Sequence, residues 1–175
     1  MTKAANLAAL GTSNGNSVLV SGTAVASTSG TSIDFTGIPS WVKRITVMLN
    51  SVSLSGTSNI RLQVGAGSIT TTGYNGGTGI TTSAGGAGGF NYSSGFDTDN
   101  FTASAADIRQ GQMVLALIGS NTWSLIGTIS CPAATGRYPY MSGTIALSGT
   151  LDRVRITTVN GTDTFDAGSI NIMYE

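Results

Sequence analysis

The sequence predicts an all-β protein, an antiparallel β-sandwich whose expected form is a jelly roll. Three observations predict it. From residue 17 onward apolar residues recur with a period of two, the spacing of a strand with one buried face. Clusters of Gly, Pro, Asn and Ser separate those runs. Hydrophobic residues make up 40% of the 175 and charged residues only 9%, so a core is available while the usual charged surface is not. Many short strands at close spacing fit one two-layer domain.

The elements follow in order. Residues 1–16 read as an N-terminal arm. Lys3 to Leu10 has the composition of two helical turns that Gly11 would stop. A helix that short needs a partner, so the arm is either a frayed end or an attachment segment. In the second case Leu7 and Leu10 are candidate subunit-interface residues. Residues 17–175 then form a single β-domain. Val18, Val20, Ala24 and Ala26 mark a first strand pair, with a bend at Ser21-Gly22. Ser32 to Phe35 alternates. Val42 to Leu49 is the strongest strand, with Ile45, Val47 and Leu49 toward the core. Ile60, Leu62 and Val64 share a face. Gln112 to Ile118 is continuously apolar from Met113, which predicts a strand buried on both sides. Strands follow at 122–130, 140–147, 153–158 and 169–174. Asn160-Gly161 is the best two-residue hairpin signal. Ala103 to Gln110 is the other helix candidate, one or two turns long.

Residues 73–96 are glycine-rich and break the pattern, predicting a loop at a solvent-facing end of the sandwich with little share in the core. No Gly-Lys-Ser/Thr follows, so it is not a phosphate loop. Its aromatics sit among Asn, Ser and Gly, the composition of adaptable binding loops. That makes Tyr74 and Tyr92 candidate ligand contacts. The competing reading has the aromatics as core anchors and the glycines as sites of close packing. In Tyr138-Pro139-Tyr140 the proline argues for an edge strand or loop, so both tyrosines are candidate ligand contacts. Trp41 and Trp123 read as core or interface plugs. Asp97-Thr98-Asp99-Asn100 resembles half of a calcium loop, but the glycine and distal Glu are missing, so no metal is assigned. Arg153 and Arg155 project from one strand face and are candidate interface residues. Cys131 reads as a small buried hydrophobe.

Composition excludes whole classes of chemistry. Without histidine there is no Ser-His-Asp triad, His-ligated zinc or His general base. Net charge zero offers no footprint for nucleic acid or an anionic membrane. The longest apolar run is far shorter than a membrane span, and Met1 to Leu10 shows no cleavage-site pattern, so synthesis in a cytosol is expected. A lone cysteine cannot form an intrachain disulfide. The single Glu is residue 175 and most Asp sit in turn contexts, so the expectation is a non-enzyme without cofactor. Little charge on a stable β-domain also predicts that copies of the chain cover each other.

Residues 32–48, SIDFTGIPSWVKRITVM, resemble a stretch of tailed-bacteriophage fibre and other virion structural proteins. Residues 151–172 are similar to the ending of such proteins, and Ala4 to Leu10 to the linker before fibre tips. The resemblance covers roughly residues 4–66 and 120–175. It implies a virion-surface protein, made in the host cytoplasm and assembled as a homotrimer with other virion proteins. It would serve as a short fibre or fibre tip that contacts host-surface glycan. The alternative it implies is a decoration protein that stabilises the capsid and has no host ligand. It assigns no catalytic or metal-binding residue.

Overall fold

The computed structural model describes residues 19–132 and 136–175. The arm, with Leu7 and Leu10, lies outside the described residues. Among those described the chain forms β1 (Val20–Ser21), β2 (Val25–Ala26), β3 (Ser32–Thr36), β4 (Arg44–Leu54), β5 (Ile60–Ala66), β6 (Ser68–Ile69), β7 (Asn75–Thr82), β8 (Ala87–Tyr92), β9 (Phe96–Asp97), β10 (Arg109–Gly119), β11 (Thr122–Ser130), β12 (Arg137–Ala146), β13 (Arg153–Thr158) and β14 (Phe165–Tyr174). Two antiparallel sheets result. The larger has nine strands, ordered β1-β14-β4-β10-β11-β12-β7-β8 with β2 also on β14. The smaller has five, ordered β3-β13-β5-β6 with β9 also on β5. They form a β-sandwich.

Alternation decides which residues meet between the sheets. Ile45, Val47, Leu49, Met113, Leu115, Leu125, Ile170 and Ile172 point inward from the large sheet; Ile33, Phe35, Ile60, Leu62, Val64, Val154 and Ile156 meet them from the small one. Each such side chain contributes about 1.5–3 kcal/mol on leaving water. Trp123 is buried within this core, whereas Trp41 is half exposed and packs on Tyr174 with ring centroids 5.9 Å apart.

Four expectations need correction. The glycine-rich segment is mostly strand, not loop: β7 and β8 pair as a hairpin at the edge of the large sheet. Glycine serves there because neighbours come close. A Cβ on Gly76 would lie within 3.0 Å of Ser142 O, and one on Gly79 within 3.0 Å of the Tyr140 ring. The hairpin also owns part of the core. Tyr74 and Tyr92 are buried, and each meets Phe96 edge-on, at 4.9 and 5.7 Å. Ala103 to Gln110 is not helical. The Asp107 carboxylate accepts the Ser104 N–H (2.9 Å) and the Asp107 N–H returns to Ser104 O (2.9 Å), closing a turn before β10 begins at Arg109. β10 is buried on one face only: Met113 and Leu115 are enclosed, Val114 is half-buried and Ile118 exposed. Asn160-Gly161 joins strands of different sheets, because β13 pairs with β3 and β5 while β14 pairs with β4. Asn160 Oδ1 accepts the N–H groups of Thr162 and Asp163, both at 3.0 Å, and so shapes a crossing turn rather than a hairpin.

Candidate binding surfaces

Register defines the outer face of the large sheet. One cross-strand row runs Met173, Thr46, Val114, Ile126, Ser142, Gly77, Asn91 over seven strands. The next runs Asn171, Met48, Gln112, Thr128, Tyr140, Gly79, Gly89. Neither contains a charge. At the strand spacing of ~4.8 Å, seven strands extend about 29 Å. The face is flat where the hairpin supplies glycine, and it exposes large apolar groups: Ile126 at 66% and Tyr140 at 54%. Its nearest charge, Arg44, sits at one margin and pairs with Glu175 at 3.3 Å.

The small sheet is the opposite. Arg155 forks onto Asp34 through two 2.7 Å bonds, Arg61 onto Asp97 at 2.5 and 2.8 Å, and Arg153 onto Asp152 at 2.7 and 3.0 Å. Arg153 and Arg155 do share a strand face, but their partners lie within the same chain.

Pro139 opens a groove in the neutral face. Tyr138-Pro139-Tyr140 lies in β12, an interior strand between β11 and β7, not at an edge. Cys131 and Arg137 exchange both backbone bonds, 2.8 and 3.0 Å. Such pairs recur every second residue in an antiparallel ladder, so the next would join Ile129 to Pro139. Proline has no N–H, and the β11–β12 ladder stops at Thr128–Tyr140. Toward β7, Pro139 faces Ile80 at a position that needs no donor. A cavity of about 430 Å³ occupies the gap, bounded by Gln110, Thr128, Ser130, Tyr138 and Tyr140. Rings beside hydroxyls and an amide make a neutral, hydrogen-bonding site.

Tyr74 and Tyr92 take no part, contrary to their reading as ligand contacts, because their position in the alternation turns them inward. Tyr74 Oη accepts the Val64 N–H and donates to Thr70 O, both at 2.9 Å. Burial pushes its phenol up to about 12. Tyr92 Oη donates to Ser142 O at 2.8 Å, and burial raises its phenol further. Chemically the four tyrosines are two core anchors and two surface groups. No protein-family model, curated protein or solved structure matches this chain.

The end of the sandwich near Arg137 holds a buried ionic cluster that the sequence reading missed. Arg137 pairs with Asp99 at 2.7 Å and with Asp107, all three nearly inaccessible. Arg109, equally buried, donates to Ser58 O at 3.1 Å. Burial pushes the Asp99 carboxyl up and holds the Arg109 guanidinium down. Buried Cys131 lies beside it, its thiol raised to about 11 by desolvation. Asp97 and Asp99, the half calcium loop, are thus engaged by Arg61 and Arg137. The sequence signal was the pair of arginines standing where the alternation of β10 and β12 turns inward, in phase with Met113 and Met141.

Proposed function

We propose that this chain is a non-enzymatic structural protein of a bacteriophage particle, a short fibre or fibre-tip protein that assembles as a homotrimer and contacts host-surface glycan. The observation that carries the reading is the neutral outer face of the nine-stranded sheet. A face with exposed Ile126 and half-buried Val114, Met48 and Met173 loses little on being covered, since no charge is stripped of water. An area near 29 Å across fits a standard interface of about 800 Å² per partner.

The carboxylates fit the non-enzymatic reading. All eight are engaged: six in arginine pairs, Asp163 by the Ser58 N–H at 2.8 Å, and Asp166 by the Ser53 hydroxyl. Acid–base catalysis by two carboxyl groups needs a pair with different protonation states facing a substrate. No such free pair stands on either sheet face among the described residues.

Light scattering of the purified protein together with its location in a particle reconstruction tests the reading. A trimer at micromolar concentration, found at a tail or fibre position, is the expected result. A monomer that stays monomeric on the particle overturns it. Density over capsid subunits, with no binding on a glycan array, replaces it with the decoration reading.

A further inference from the structure

We infer that a second cavity, at the end of the sandwich where β5 begins and β13 ends, is a binding site for a neutral, hydroxyl-rich ligand, a saccharide. The inference rests on the attachment reading above and gives it a place on the molecule. The cavity measures about 440 Å³, and its wall includes Asn59, Phe90, Asp99, Asn100, Phe101 and Asn160.

Three features select this ligand class. The first is an apolar plane beside polar groups. The Phe101 ring is 37% exposed and lies over Gly88 of β8, where a Cβ would come within 3.0 Å of it. A glycine there lets the tip of the ring come close to the hairpin. Such a ring can stack on the C–H face of a sugar while planar amides and carboxylates take the hydroxyls at its edge. The second is an acceptor without a partner. Asn59 is only 8% exposed, and its Nδ2 donates to Phe101 O at 2.8 Å, yet its Oδ1 has no hydrogen-bond partner. A buried acceptor left unmade is costly; Asn59 Oδ1 is enclosed as it stands, and a small shift of this wall of the cavity would let a ligand hydroxyl satisfy it. Asn100, exposed on the rim, adds a free amide, whereas the Asn160 amide is committed: its Oδ1 takes two backbone donors and its NH2 donates to the Asp163 carboxylate.

The third feature is charge balance. Asp97, Asp99 and Asp107 stand against Arg61, Arg109 and Arg137, three of each sign. Both Asp97 oxygens are held by Arg61, while Asp99 takes the Phe101 N–H at 2.8 Å and Arg137 at 2.7 Å. A divalent cation needs a surplus of oxygen charge, and an anion needs a free guanidinium. The site offers neither, so a neutral ligand with many hydroxyls is what it fits. The groove at Tyr138 and Tyr140 lies within the face assigned to subunit contact; the end cavity lies outside it and stays open in an assembly.

Saturation-transfer NMR of the whole chain with neutral hexoses and their N-acetylated forms tests the site, followed by titration of those that respond. At least one is expected to bind with a millimolar Kd. Phe101→Ala and Asn100→Ala should each weaken it about tenfold or more, a loss of roughly 1.4 kcal/mol per tenfold, while Tyr140→Ala leaves it unchanged. The Asn100 side chain is solvent-exposed, so its variant reports on the site even if Phe101→Ala unfolds the domain. The proposal is overturned if no saccharide transfers saturation at tens of millimolar. It also fails if binding survives both end-cavity variants but is lost in Tyr140→Ala, or if calcium binds, is lost in Asp99→Asn, and no sugar does. A trimer that binds no sugar sinks the site alone; a permanent monomer that binds sugar through Phe101 sinks the fibre reading and keeps the site.

Discussion

The two sheets turn opposite chemistries outward. On the five-stranded sheet Asp34, Arg155, Arg61, Asp97 and Arg153 form fork-shaped ion pairs across and along its strands. On the nine-stranded sheet two full rows hold only Ser, Thr, Asn, Gln, Gly and apolar side chains. A net charge of zero therefore hides a segregation. The Arg155–Asp34 and Arg153–Asp152 pairs keep most of their water and cost little to maintain, while Arg61–Asp97 is largely covered. A charge taken into an interface gives up several kcal/mol of hydration unless a partner restores it. The face cleared of charge is the one that can be covered without that loss, and the face crowded with charge is the one built to stay wet.

The comparison is broken most severely by placing charge where the molecule keeps none. Ile126→Lys, at the centre of the neutral face, should dissociate the proposed trimer, because each proposed interface would bury an unpaired ammonium at a cost of several kcal/mol. Thr36→Lys, on an exposed position of β3, adds the same charge to the other face and should leave the assembly intact. Light scattering on both variants is the measurement. Identical behaviour of the two would remove the distinction between the faces.

Next in size is the ionic cluster at the end. Arg137→Ala should lower stability by about 3–5 kcal/mol, since Asp99 and Asp107 would remain buried without their cation. Urea denaturation reads this directly. A loss below about 1 kcal/mol would mean that the cluster is as weakly coupled as a surface pair.

Alkaline stability comes third and isolates the hairpin. Tyr74 has its phenol raised to about 12 in the folded chain, against about 10 unfolded. The folded state then holds a proton that the unfolded state releases. This contribution is fully present below pH ~10 and is lost as pH rises toward 12, about 2–3 kcal/mol in all. Tyr74→Phe should cost stability at neutral pH through its lost hydrogen bonds, yet flatten the fall above pH 10. An unchanged alkaline slope would show that Tyr74 is not the group responsible.

The parts that were legible in the sequence are those where side chains carry the signal. Ile45, Val47 and Leu49, or Ile60, Leu62 and Val64, announce strand and inward face together. The hairpin was illegible because glycine has no side chain to alternate: Gly76, Gly77 and Gly79 are strand residues only because Ser142, Phe90 and Tyr140 lie against them. Pro139 misled for a related reason. Whether a proline fits an interior strand depends on which neighbour its missing N–H would have faced, and pairing decides that. Some of the site was readable and went unread. Thr122, Ser124, Thr128 and Ser130 mark the outward phase of β11, and Ile126 shares it. Tyr138 and Tyr140 alternate against Met141 and Ile145 in the same way.

The smallest expected effect sharpens the comparison from the charged side. Asp34 and Arg155 are cross-strand partners between β3 and β13, each about one-third exposed, joined by two 2.7 Å bonds. Fork geometry favours the pair, but water competes for both groups and ordering two side chains opposes them, so Asp34→Asn should cost only about 0–1 kcal/mol. That small loss should shrink further in salt, because the screening length falls from ~10 Å at 0.1 M to ~3 Å at 1 M. Arg155 would stay in water and need no new partner, so the assembled mass should not change. Melting curves at the two salt concentrations, with light scattering alongside, decide it. If Asp34→Asn instead dissociates the proposed trimer, or costs several kcal/mol at either salt concentration, the pair is being desolvated by a neighbouring copy. The charged face would then be the interface, and the roles assigned to the two sheets would have to be exchanged.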